Sequence, residues 1–454
     1  MNGVYFGGMF NFDKSELRGA GEVVSIAVGV GWLLLPAAVV MSGWWWGLGS
    51  GVIIGLISLH TLLMWLDLTS SDRGDRDGNS TSGKRGQAGG IVGDKRFFGI
   101  IEGHLGPVAG FLGVGAWLIF IWGAIVAYLQ VIPMFFRVIN GGVVDIGTVG
   151  VDAMASRVGI SLGFLVIAGL FLLGSAGVNY FRRILWPLLV LLLIVLVVMG
   201  LIHDPAELQP IASYLSWEGW RSGFEGSTAV FWRIFFQFLI PFTALTPVFT
   251  LWLFAFFGLP SVPELLVAVS GKIAVAKRAV WLGYGITAAI YFLFIIAMIR
   301  LFGSLTPELA ILGVNYLWSP IIAKIALGLV GLVIINAAVA NAMNLQESLM
   351  KDFKLRFWES MALSLLPPFL VAQTLIPIHT VIVVTAGIFG GLIGLLLVLA
   401  HGAAAKNGVW SAREAVVGRG WRIAAGGLFI FMIAGGLDEF IRQLVRGMHL
   451  AYFN

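Results

Sequence analysis

Two long stretches of this chain, Val23 to Leu66 and Ser360 to Ala405, hold no Asp, Glu, Lys or Arg. A helix needs roughly 20 predominantly apolar residues to cross a bilayer, so each stretch has room for two crossings. Composition carries the point to the rest of the chain. It is 59% hydrophobic and 11% charged, whereas soluble domains average about 25% charged residues. The sequence therefore reads as an all-α polytopic membrane protein. It has no cysteine, which excludes disulfides, thiolate metal sites and cysteine nucleophiles. Its net charge of +5 does not suggest a nucleic-acid partner.

The hydropathy pattern predicts 11 crossings. Spans 1 and 2 cover about 21–42 and 46–67, with a turn at Ser42–Gly47 whose tryptophans suit a membrane interface. Span 3 runs from about Leu105 to Phe135, span 4 over Val158–Val178 and span 5 over Ile184–Ile202, with a basic turn at Asn179–Arg183. Span 6 starts near Ala229, and spans 7, 8, 9 and 10 follow at 279–302, 320–343, 357–375 and 378–401. Span 11, about 422–445, carries Asp438, Glu439 and Arg442. Most of the 28 Lys and Arg fall in segments that lie on one side if the N-terminus is cytoplasmic, and positive loops mark the inner face. The expected layout is a cytoplasmic tail (1–20), a first five-helix set (21–202), an extracellular loop (203–227) and a second five-helix set (228–401). A cytoplasmic loop, helix 11 and an outer C-terminus (402–454) complete it. Two sets of five helices must enter the membrane from opposite sides, which makes them an inverted repeat; it rests on span count and break position, not on residue similarity.

Two spans contain helix breakers in the middle. Span 1 holds Val28-Gly29-Val30-Gly31-Trp32 followed by Leu33-Leu34-Leu35-Pro36. Span 6 holds Phe256-Phe257-Gly258-Leu259-Pro260. Backbone groups freed in lipid cost several kcal/mol unless something satisfies them, and interrupted helices at mid-membrane depth are how carriers present backbone polar groups to a solute. A helix N-terminus at Gly29–Gly31 favours a carboxylate. Carbonyls at Phe254, Ala255 and Phe256 suit an ammonium. An α-amino acid has both groups, and the absence of a fixed charge at either break favours a neutral side chain. Close helix packing is the competing explanation of Gly-x-Gly alone; the proline and the second break weigh against it.

These residues resemble the amino acid–polyamine–organocation superfamily, and within it the amino acid/auxin permease group. Gly29 to Pro36 is similar to that group's G-x-G-x-x-x-x-P. Leu253-Phe254-Ala255-Phe256-Phe257-Gly258 followed by Val262-Pro263-Glu264 is similar to its F-A-F-x-G and P-E pattern, and Tyr128 matches a tyrosine common in span 3. The resemblance covers about residues 20–400. It implies the five-plus-five fold with broken helices 1 and 6, alternating access, and a solute site at Val28, Gly29, Val30, Gly31, Trp32, Tyr128, Phe254, Ala255, Phe256, Phe257 and Gly258, with Phe254 as a gate. Sodium-coupled relatives place Ser or Thr hydroxyls where this chain has Asn336 and Ala337, so protons are favoured slightly over sodium.

The ion-coupling candidates are Asn336, Glu22, Glu264 and His60, because ionisable groups in or near membrane spans are functional candidates and histidine titrates near neutral pH. The competing roles are helix caps, gate ion pairs and, for His60, a ring bonded to a backbone carbonyl. Asn341 and Asn344 share a helix face and suit interhelical hydrogen bonding. The expectation is a secondary active transporter of neutral, hydrophobic or aromatic amino acids in the plasma membrane, with no cofactor beyond its coupling ion. The chain does not read as an enzyme, because its six histidines are scattered and no nucleotide-binding loop is present. A non-transporting amino-acid sensor of the same fold is the alternative.

Overall fold

The computed structural model describes residues 13–78, 97–139, 153–202, 246–303, 306–314, 318–407 and 418–453. Among them the chain is helical, with no strand. Eight helices are long and apolar enough to cross a membrane, and three shorter apolar helices accompany them, at Gly31–Ser42, Pro187–Gly200 and Phe357–Ala372. Leu165, Leu191, Ile321, Leu370 and Ile423 stand exposed on the exterior. An apolar outer face suits lipid, and the chain is an all-α, multi-pass membrane protein.

The first membrane segment is two helices. Helix α1 (Lys14–Ala27) stops at Val28, and α2 (Gly31–Ser42) starts three residues later. Expected as part of a polar tail, Lys14 to Ala20 are instead the first turns of α1. Their start is set by Glu16, whose carboxylate accepts from the Asp13 amide at 3.3 Å in a capping arrangement. Gly43, at φ +81°, turns the chain into α3 (Trp44–Gly78).

A short α4 (Phe97–Leu105) leads through Gly106 (φ +88°) into α5 (Pro107–Ile139). Next come α6 (Ala153–Leu172) and α7 (Gly174–Ile202). The turn between them lies at Leu173–Gly174, with Gly174 at φ +70°. Residues 179–183, expected as that turn, run inside α7. Two arginines do not end a helix; a glycine in the left-handed region does.

The second interrupted segment is α8 (Thr246–Phe256), non-helical Phe257–Gly258, a 3-10 turn at Leu259–Ser261 and α9 (Val262–Ala268). The expected start of span 6 and its Pro241, like the loop 203–227, lie outside the described residues. Helices α10 (Ile273–Phe302), α11 (Pro320–Asp352) and α12 (Phe357–Ala372) follow. The tenth expected span is not a uniform helix. It is α13 (Ile378–Val384), a π-helical stretch Thr385–Gly390, and α14 (Gly391–Lys406). Helix α15 (Arg419–Phe453) is the last.

Helices α5, α8 and α10 supply much of the buried core, through Phe120, Ile125, Trp252, Phe256, Tyr291 and Phe294. Helix α1 lies against α9 and α10, and α2 against α8 and α10. The π-helical stretch packs on α5 and α8. Its Gly390 touches Phe120 and Leu253. π-helical turns recur at functional sites, and this one widens its helix beside α8 of the second interrupted segment.

Candidate functional site

At the first break the backbone ladder is open. Gly29 N–H donates to Ala27 C=O at 2.8 Å and Leu33 N–H to Val30 C=O at 3.1 Å. The amides of Gly31 and Trp32 begin α2, where no carbonyl of the same helix is in position to accept. At the second break Gly258 N–H donates to Phe256 C=O at 2.7 Å, and Phe257 N–H reaches Phe254 C=O only at 3.4 Å.

The two breaks touch. A Cβ placed on Gly31 would lie 3.0 Å from Ala255 Cα and 2.9 Å from Phe254 Cδ1. Only glycine lets α2 approach the α8 backbone this closely. Gly29 has the same role toward Tyr128, whose hydroxyl occupies the space a Cβ would take.

Three buried tyrosines satisfy the broken backbone. Tyr291 on α10 donates from Oη toward Ala27 C=O (2.6 Å) and Ala255 C=O (3.0 Å), so one hydroxyl bridges both interruptions. Tyr284, two turns earlier on the same face, donates to Phe256 C=O at 2.7 Å. Tyr128 on α5 faces the Val30 amide and takes a 3.5 Å contact from Asn341 Nδ2. Unpaired backbone groups are expensive away from water, which is why hydroxyls recur here.

A small cavity opens where the breaks meet. Ala27, Gly29 and Gly31 line it from the first break, and Phe254, Phe257 and Pro260 from the second. Phe120, Ala124 and Tyr128 of α5 and Asn341 of α11 complete the wall. Among the described residues, the wall has no carboxylate, ammonium, guanidinium or imidazole. Its polar groups are backbone, the Tyr128 hydroxyl and the Asn341 amide. The Phe120 and Phe257 rings lie 3.9 Å apart, tilted by 37°, with Phe254 at 6.0 Å from Phe120, and these rings crowd one side.

Of the site residues expected from sequence, Gly29, Gly31, Tyr128, Phe254 and Phe257 line this cavity. Val28, Val30, Trp32, Ala255, Phe256 and Gly258 stand behind it. The Trp32 ring packs on Phe294 at 4.4 Å, edge to face. The expected amine site changes in detail. Two of its three carbonyls, Ala255 and Phe256, already accept from tyrosines, which leaves Phe254 C=O as the least engaged.

None of the expected ion-coupling residues lines the cavity. His60 is bonded to Leu56 C=O at 2.7 Å, and its ring stacks on Trp421 at 4.5 Å. Glu22 lies on α1 and Glu264 in the first turn of α9, both partly buried. Asn336 is five residues before Asn341 and so faces another way around α11.

Sequence reasoning missed Phe120, Tyr284 and Tyr291, because aromatic residues in the middle of apolar helices carry no local mark. It placed Asn341 as interhelical glue; the amide instead donates within its own helix, to Ala337 C=O at 2.9 Å, and reaches Tyr128 Oη of α5 only at 3.5 Å, and its position on the cavity wall is additional. A second small cavity, largely apolar, lies on the other side of Pro260 between Trp65, Trp117, Pro263 and Phe353. Asn344 Nδ2 to Pro260 C=O, at 3.4 Å, lies between the two.

No protein-family model matches the chain, and no curated protein matches it. The chemistry of the cavity therefore carries the functional reading.

Proposed function

We propose that this chain is a secondary active transporter of neutral amino acids, working by alternating access around the cavity between its two helix breaks. One observation carries the reading: the interruptions of α1–α2 and α8–α9 meet, tied by the Tyr291 hydroxyl, and leave backbone polar groups facing an uncharged cavity. The solute's carboxylate takes the amides at the start of α2, where the helix dipole favours negative charge. Its ammonium takes Phe254 C=O and the Asn341 side-chain oxygen. Its side chain lies among Phe120, Phe254 and Phe257, which favours hydrophobic or aromatic amino acids. A zwitterion balances itself, so a wall without ionised groups suits it.

In this account the eight long helices and the three shorter apolar ones make eleven crossings. The first ten form a five-plus-five inverted repeat, with the N-terminus cytoplasmic and the C-terminus outside a plasma membrane. The two cavities flanking Pro260 are successive parts of one pathway, and Asn344 is the constriction between them. Proton coupling is favoured over sodium, because no Ser or Thr hydroxyl among the described residues lines the cavity and Asn336 is turned from it.

Uptake by the reconstituted protein in proteoliposomes, with a panel of labelled amino acids and independently varied sodium and proton gradients, tests this. The expected result is saturable uptake of neutral, bulky amino acids driven by a proton gradient. No uptake of any amino acid would overturn the transport reading.

A further inference from the structure

A charged cluster and three aromatic rings share one side of the molecule, away from the cavity. Asp67 of α3 receives Lys277 Nζ of α10 at 2.5 Å on one carboxylate oxygen and His401 Nε2 of α14 at 3.2 Å on the other. Arg422 Nη1 of α15 stands 3.4 Å from the remaining ring nitrogen, Nδ1 of His401. Arg278, the residue after Lys277, points instead to α1 and pairs with the buried Glu16 at 2.8 Å. Among the described residues, no carboxylate pairs with Arg422 or with Arg419, one turn earlier on α15. The cluster therefore carries two arginines that lack an acidic partner.

The rings stand directly beside these charges. His60 lies two turns from Asp67 on one face of α3, and Trp281 one turn from Lys277 on one face of α10. The His60 ring stacks on Trp421 of α15 at 4.5 Å and meets Trp281 edge to face at 6.1 Å. Three helices thus close a cradle of rings. Trp281 is 50% exposed and Trp421 40%, so the cradle lies on the apolar exterior and not in the core. Val52, Ile53 and Leu56, all exposed, continue the His60 face along α3. Gly285, one turn beyond Trp281, has open space where a side chain would stand. About 22 Å of helix separates Asp67 from Val52, against about 20–22 Å for one leaflet with its headgroups.

That order of chemistry is the order of a phospholipid. A charge at membrane depth is costly unless an opposite charge or water meets it. A guanidinium only donates, and it pairs a phosphate with two parallel hydrogen bonds. Indole rings favour the headgroup level, and basic pockets between membrane helices hold acidic headgroups. An aromatic belt accounts for tryptophans standing singly at an interface. It does not account for rings of three helices closed on one another beside two arginines without a carboxylate.

We propose that the groove between α3, α10 and α15 binds one anionic phospholipid. Its phosphate lies at Arg419 and Arg422, its glycerol at the His60, Trp281 and Trp421 rings, and an acyl chain along Leu56, Ile53 and Val52. The bound lipid ties the start of α15 to α3 and α10. This inference does not rest on the transport reading.

The test is lipid retention by the purified chain in detergent, read by native mass spectrometry with phosphatidylglycerol and phosphatidylcholine supplied in equal amounts. The expected result is one phosphatidylglycerol retained per chain in preference to phosphatidylcholine. Equal retention of the two would overturn the proposal. A basic residue at a membrane surface strengthens binding of an anionic lipid about 5-fold. Arg419→Gln should therefore lower the ratio of the two lipids about 5-fold, and Arg419→Gln with Arg422→Gln about 30-fold. An unchanged ratio would overturn the proposal. Arg419 is exposed, so the single variant still decides the matter if loss of Arg422 from His401 impairs folding.

Two further arms separate a site from simple attraction. Lys324→Gln removes a positive charge near the start of α11, at the opposite membrane end, and should leave the ratio unchanged. A fall equal to that of Arg419→Gln would show attraction by net charge and overturn the proposal. Inorganic phosphate, which has no acyl chain, should not displace the retained lipid. Displacement by millimolar phosphate would make this a site for the free ion and overturn the lipid assignment.

Discussion

Removing one oxygen tests whether the two helix breaks are tied together. Tyr291→Phe keeps the ring, which lies 5.2 Å from Phe256 and 6.5 Å from Trp252, and deletes only the hydroxyl. Ala27 C=O keeps a donor, because Gly29 N–H still reaches it at 2.8 Å. Ala255 C=O loses the 3.0 Å bond from Tyr291, and as a carbonyl in the last turn of α8 it has no helical donor to replace it. Leaving a buried acceptor unsatisfied costs about 1–3 kcal/mol. Side-chain hydrogen bonds between membrane helices measure lower, about 0.6 kcal/mol on average and up to about 1.7. The expected loss is therefore about 1–2 kcal/mol, a factor of roughly 5–30 in an equilibrium. Two assays read it in detergent: thermal unfolding of the purified variant and equilibrium binding of the best-transported amino acid. Melting should fall and affinity should drop by that factor, because the tie holds both halves of the site in register. Wild-type melting together with wild-type affinity would refute the argument that this hydroxyl joins the interruptions.

Gly31→Ala should weaken amino-acid binding roughly 5- to 150-fold, since its Cβ would sit 2.9 Å from Phe254 and 3.0 Å from the Ala255 backbone, an overpacking cost of about 1–3 kcal/mol; binding at wild-type affinity would remove the first break from the site. Gly31→Leu, the larger change, would drive α2 and α8 apart and confuse lost binding with lost folding. Phe254→Ala should impair uptake by opening the aromatic side of the cavity, and unchanged uptake kinetics would argue against a gating role. Asn341→Ala should weaken amino-acid affinity more than it lowers thermal stability; the reverse order would return Asn341 to a packing role. Asp67→Asn should destabilise the fold by at most about 3 kcal/mol, the low end for breaking a buried pair because Lys277 is 24% exposed; an unchanged melting curve would show that the cluster contributes little.

The helix interruptions were legible because they are local. Glycine and proline act on the backbone where they stand, and Gly29, Gly31 and Gly258 mark both breaks in sequence. Gly43 and Gly106 mark turns for the same reason. The start of α1 was not legible, because Lys14, Glu16 and Arg18 look like a solvated tail until Arg278, far along the chain, is brought against Glu16. Likewise, Asn179–Arg183 looked like a turn by polarity, yet polarity does not end a helix. The π-helical stretch at Thr385–Gly390 left no mark in hydropathy. Of the cavity wall, the glycines and Tyr128 carried a motif, but Phe120 and Asn341 depend on how α5 and α11 are rotated. The Asp67–His401 pair was illegible for the plainest reason, since its members meet only through tertiary packing.

The central claim is that bare helix ends at the two breaks recognise the two charged ends of an amino acid. Competition against uptake in proteoliposomes by the carboxamide of the transported amino acid tests it most directly, since that analogue keeps the ammonium and the side chain and loses only the carboxylate. The account predicts no competition at concentrations where the parent amino acid competes fully. A carboxamide that competes as well as its parent would show that the amides at the start of α2 hold no carboxylate.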